Sequence, residues 1–132
     1  MTAFTGTKNF SLAGDPKLAC SCGCGLLPSQ EFMEKVQKAR DRTSFAWVVT
    51  SGARCPAYNQ QVSTTGPNGP HTKDAIDIGV HGAQAYEVVL AFLLERFTGI
   101  GVSQRGPHSG RFIHGDMLPN GDNQPRSYVW SY

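Results

Sequence analysis

Apolar residues along the chain follow two periods. In residues 29–42 they recur at helical spacing, as Phe32, Met33, Val36 and Ala39, and Ser29 stands ahead of Gln30 and Glu31 as an N-cap. In residues 83–97 the positions Tyr86, Leu90, Leu93, Leu94 and Phe97 make one stripe, Gln84, Glu87 and Glu95 line the opposite side, and Gly99 follows as a stop. Both segments predict helices, and a shorter one opens at Pro56, carrying Tyr58 and Val62. The run FAWVVT, residues 45–50, is apolar and β-branched and reads as a buried strand. AIDIGV, residues 75–80, alternates: Ile76, Ile78 and Val80 point to one face, Asp77 and Gly79 to the other. Residues 100–103 and 111–117 predict two more strands, and a short one lies near residues 128–132. In the 111–117 segment His114 and Asp116 share the face opposite Ile113 and Met117.

The chain's 132 residues, 39% of them hydrophobic, suffice for one core and are too few for two ordinary domains. The expectation is a single domain over 1–132 with an irregular N-terminal segment, 1–28. Fifteen glycines, eight prolines and only 17% charged residues favour a loop-rich α+β fold over a helical bundle. STTGPNGP, between the short helix and the alternating strand, reads as a loop. A formal charge of +2 with no basic run argues against a nucleic-acid partner. No apolar window is long enough to cross a bilayer, and the N-terminus lacks a signal-peptide pattern, so the chain is expected to be made in the cytoplasm. Cys20, Cys22 and Cys24 stand two apart, too close for easy mutual bridging. With Cys55 they offer an all-thiolate zinc set, but C-x-C-x-C lacks the usual two-residue spacing, and thiols packed under the first helix are the plainer expectation.

The four histidines, His71, His81, His108 and His114, all lie in the C-terminal half. A zinc hydrolase needs three protein ligands and one open position. His71, Asp77 and His114 would supply two nitrogens and an oxygen. Spacing alone leaves a second reading open, in which a turn histidine and a loop-capping aspartate happen to be neighbours.

SGARCP, then GPHTKDAIDI, then RFIHGDM and a closing WSY resemble the zinc D-Ala-D-Ala peptidases of the lysostaphin, D-Ala-D-Ala peptidase and hedgehog group, most of all its short bacteriophage murein peptidases. The resemblance covers roughly residues 29–132, in the same order and at similar separations. It implies a small antiparallel sheet with helices on one side and a zinc groove on the other. By position it makes His71, Asp77 and His114 the zinc ligands and Arg54 the group that binds a substrate carboxylate or a polarised carbonyl oxygen. Asp116 becomes the partner that orients a ligand imidazole. His108 becomes the candidate for proton transfer, and His81 is left structural. Trp47, Phe92 and Phe97 are expected in the core, Trp130 and Tyr132 on a cleft wall.

The chain departs from the family pattern at four places. Five residues rather than six separate His71 from Asp77, and Asp74 stands in the region of the usual glycine. Gly69 replaces a serine, and Arg111 stands where many relatives carry a glutamate as general base. The function implied is zinc-dependent hydrolysis of the stem peptide or cross-link of bacterial peptidoglycan, by a monomeric lysis or virion enzyme of endolysin type. The alternative is a wall-binding or phage structural module that keeps the fold without hydrolysis.

Overall fold

Strands β1 (Val48–Ser51), β2 (Ala75–Gly79), β3 (Gly99–Ser103), β4 (Phe112–Asp116) and β5 (Tyr128–Ser131) make one sheet in the computed structural model, which describes residues 1–132. Their order is β1-β2-β4-β3-β5. The first four pair antiparallel, as expected, whereas β5 lies parallel to β3, so the sheet is mixed. The reason lies in the chain path. Asp116, at the end of β4, pairs with Gly99, at the start of β3, and Tyr128 pairs with that same Gly99. Residues 117–127 therefore need only round one end of the sheet, and β5 then runs alongside β3 in its direction.

Helices α1 (Gln30–Arg40) and α3 (Gly82–Leu94) cover one face, and α2 (Pro56–Val62) leads into the loops at the other. In α1, Phe32, Met33, Val36 and Ala39 are all buried, and the Ser29 hydroxyl accepts the Phe32 N–H at 3.1 Å, as its N-cap position predicts. Two expectations need correction. α3 buries Ala85, Val88, Ala91 and Phe92, while Tyr86, Leu90, Leu93 and Leu94 face outward. Both sets are spaced as helical stripes, and the smaller residues let the helix approach the sheet. The strand expected at residues 45–50 starts only at Val48 and lies at a sheet edge, so it alternates, with Val49 buried and Val48 exposed.

Trp47, Phe92 and Phe97 belong to the core, Trp47 meeting Phe92 edge-on with centroids 5.5 Å apart. Residues 1–28 contribute one short 3-10 turn, Pro16–Leu18, and little other regular structure. Their side chains are nevertheless part of the interior, because Phe4, Phe10 and Leu18 join the same cluster. No helix is long and apolar enough to cross a membrane.

Candidate metal centre

One row of residues crosses the sheet on the face away from α1 and α3. Ser51 pairs with Asp77, Asp77 with His114, His114 with Gly101, and Gly101 with Trp130. Alternation along each strand sends Ile76, Ile78, Ile100 and Ile113 into the core and leaves this row on the other side. Gly101 permits the close approach of its neighbours. A Cβ there would stand 2.8 Å from the Trp130 indole nitrogen and 3.0 Å from the His114 Cβ, so its absence lets the indole lean to 5.1 Å from the His114 ring.

His71, which is not on the sheet, arrives from the short 3-10 turn Pro70–Thr72. Its Nδ1–H donates to the Gly52 carbonyl at 2.7 Å, which leaves Nε2 as the lone-pair nitrogen, 3.2 Å from Asp77 Oδ1. His114 is held the opposite way round. Its Nε2–H donates to Asp116 Oδ2 at 2.7 Å, so its lone pair is on Nδ1, 3.0 Å from the same Asp77 oxygen. Three acceptors thus converge in a buried place, all within 4.8 Å of one another. Such a cluster is stable only if the rings take extra protons or a cation lies between them.

Protons on the rings are one solution. Burial opposes charge on Asp77, but hydrogen bonds from His114 and His71 outweigh it and hold the carboxyl well below its ordinary range. Burial likewise opposes charge on His114, yet hydrogen bonds to Asp116 and Asp77 raise its pKa. The cation solution fits equally well. Zinc bonds of about 2.0 to 2.2 Å place tetrahedral donors roughly 3.3 to 3.6 Å apart, a few tenths beyond the spacings here.

The groups around the triad fix these roles. Asp116 is fully buried and accepts from Arg126 Nη2 at 2.7 Å and Nε at 2.9 Å, as well as from His114. Burial opposes its charge, but the bonds from His114 and Arg126 hold its carboxyl well below the usual range. Arg126, which also lies 4.9 Å from the Trp130 ring centroid, has no signal in the sequence, because it meets Asp116 only after the chain rounds the sheet.

Arg54 stands at the edge of the site, with Nη2 3.9 Å from Asp77 Oδ2. Its Nε donates to Ser51 Oγ at 3.2 Å and its Nη1 to Asn59 Oδ1 at 3.0 Å, leaving further guanidinium donors free. Asn59, another residue that the sequence motifs do not mark, is fully buried and donates to Thr65 Oγ1 at 2.9 Å and to the Gly66 carbonyl.

The loop ahead of β2 brings His71 into the triad. The turns Gly66–Asn68 and Pro70–Thr72 lie on either side of Gly69, and the Arg54 N–H donates to the His71 carbonyl at 2.9 Å. Asp74 accepts from Ser29 N at 2.9 Å and from Ser29 Oγ at 2.7 Å, which ties the loop to the start of α1.

The triad lies in a groove of about 630 Å³ whose walls include Arg54, Lys73, Asp122, Arg126, Trp130 and Tyr132. Trp130 and Tyr132 therefore stand on the cleft wall, as expected. His108 does not line this groove. It is exposed, and its ring stacks on His81 with centroids 4.1 Å apart, because the Pro107–Gly110 turn carries it toward the start of α3. Arg111 is absent from the walls as well, its Nε donating to the Gly106 carbonyl at 3.0 Å.

No curated protein and no solved structure matches the chain. The family model described as Peptidase M15 matches residues 10–116, a span that holds Arg54, His71, Asp77, His114 and Asp116. Two imidazoles and a carboxylate converging on the open face of a sheet flanked by helices make a zinc-peptidase-type site, and with that match the chain belongs to the Peptidase M15 family.

Proposed function

We propose that the protein is a zinc-dependent peptidase that cleaves the stem peptide or cross-link of bacterial peptidoglycan. The observation that carries this reading is the convergence of His71 Nε2, His114 Nδ1 and Asp77 Oδ1, each imidazole fixed in the ligating tautomer by a partner on its other nitrogen. These three would hold the ion. When bound, zinc polarises a carbonyl and lowers the pKa of water to about 7.

The chain's own residues do the rest. The free donors of Arg54 face the groove beside Asp77, placed to hold a substrate carboxylate or the oxygen that gains charge in an acyl-transfer transition state. Asp116 and Arg126 keep the His114 proton on Nε2, and Trp130 and Tyr132 give the wall an apolar surface for a short peptide. The resemblance to bacteriophage murein peptidases extends the proposal to a lysis or virion role at the cell wall, as a monomer. His108 has no part in it, because it does not line the groove.

A second reading, binding to the wall without hydrolysis, draws on one observation. Arg111 fills the position of the relatives' glutamate and turns away to Gly106, so the groove has no carboxylate there. Incubating purified sacculi with zinc-loaded protein separates the two. Hydrolysis predicts new peptide ends that disappear in His114→Ala; sedimentation with sacculi and no new ends would establish the binding module instead.

A further inference from the structure

Three of the four cysteines lie outside the core. Cys20 is buried, but Cys22 and Cys24 are exposed and Cys55 is half-buried, and the cluster sits against the start of α2 rather than beneath α1. All four are free thiols whose sulfurs lie within 4.8 Å of one another. Cys20 Sγ is 3.4 Å from Cys22 Sγ, and Cys22 Sγ is 3.6 Å from Cys55 Sγ. Those distances are far from the bonded separation of about 2.05 Å. They are within a few tenths of an ångström of the roughly 3.8 Å between sulfurs that share a tetrahedral zinc with bonds of about 2.3 Å.

The C-x-C-x-C spacing, an objection in sequence, is met by the backbone. Gly23 and Gly25 have φ of +85° and +89°, left-handed values that a side chain disfavours, and they let the chain curl after each of the last two cysteines. The loop is closed by Cys20 N–H to the Leu26 carbonyl at 3.0 Å and Gly23 N–H to the Cys20 carbonyl at 3.2 Å. Cys55 is delivered by a second segment held alongside, through Gly52 N–H to the Lys17 carbonyl and Ala53 N–H to the Leu18 carbonyl, both 2.9 Å. Two backbone donors already point at sulfur, Cys55 N–H at Cys20 Sγ, 3.3 Å, and Tyr58 N–H at Cys55 Sγ, 3.4 Å.

We propose that Cys20, Cys22, Cys24 and Cys55 hold a second zinc ion in a closed, all-thiolate structural site. Binding displaces the thiol protons into solvent and leaves no open position for chemistry. The ion staples the N-terminal segment to residues 52–55, the stretch whose Gly52 carbonyl orients His71 and whose Arg54 reaches the groove. The site is independent of the peptidase reading.

The test uses the full chain, purified with reductant and zinc. Metal analysis should find one zinc ion per chain that is retained in His114→Ala and lost in a Cys22→Ser/Cys24→Ser double variant, whatever the triad holds besides. Because that double variant risks failing to fold, cobalt is also loaded into the unaltered protein. A sulfur-to-cobalt charge-transfer band is expected, which an imidazole and carboxylate site does not give, together with four thiols protected from alkylation until chelator is added. A single zinc that His114→Ala abolishes, absence of the charge-transfer band, or peptides joined by disulfides at these cysteines would overturn the proposal.

Discussion

At the scale of single residues, the site depends on side chains that never touch a ligand. Asp116 holds the His114 proton on the nitrogen that faces away from the triad, and it is itself held by two bonds from Arg126. Asp116→Asn keeps the shape but removes the charge, and zinc affinity measured by chelator competition should fall by roughly 10- to 100-fold. Gly101→Ala places a methyl against the Trp130 indole and His114 Cβ, and should cost about 1 to 3 kcal/mol in urea denaturation by displacing that ring. His71, Asp77 and His114 were legible in the sequence only through the combined motifs, since spacing alone left them as ordinary neighbours. Arg126 and Asn59 were not legible, because each acts on a partner that folding brings to it. His108 was legible as a histidine near the right motif, but the turn that carries it points toward His81.

Elements set how tightly the triad is held. The loop ahead of β2 is closed by 3-10 turns on either side of Gly69 and tied at Asp74 to the cap of α1. Ser29→Ala removes both the cap and one Asp74 partner and should destabilise the fold by about 1 to 2 kcal/mol, read as a shift in the urea midpoint at unchanged slope. The helices were legible as helices, and α1 as to its buried face. For α3 the face was not, because Ala85, Val88 and Phe92 repeat at helical spacing just as Tyr86, Leu90 and Leu93 do; only packing against the sheet chooses between them. The parallel pairing of β5 was hidden for a related reason: strand direction follows from where β4 ends, a property of the sheet rather than of the segment.

At the scale of the whole molecule, the buried acceptors of the triad need either protons on the rings or a cation between them. Asp77 and Asp116 have lowered pKa values, so they add stability that is fully present above about pH 4 and is lost as pH falls through their folded-state values. His114 has a raised pKa, so its contribution is fully present below about 6.5 and is lost as pH rises through its folded-state value. Urea midpoints of chelated protein should therefore fall at both ends of the range, and Asp116→Asn should flatten the acid limb. Zinc should restore stability on the alkaline side, where the rings are neutral and free to ligate. Release of new peptide ends from purified sacculi by chelated protein to which zinc is returned decides whether the protein is a zinc peptidase. Hydrolysis that appears with zinc and is absent in His114→Ala is the predicted result; no release by the zinc-loaded protein, or equal release by the variant, would contradict it.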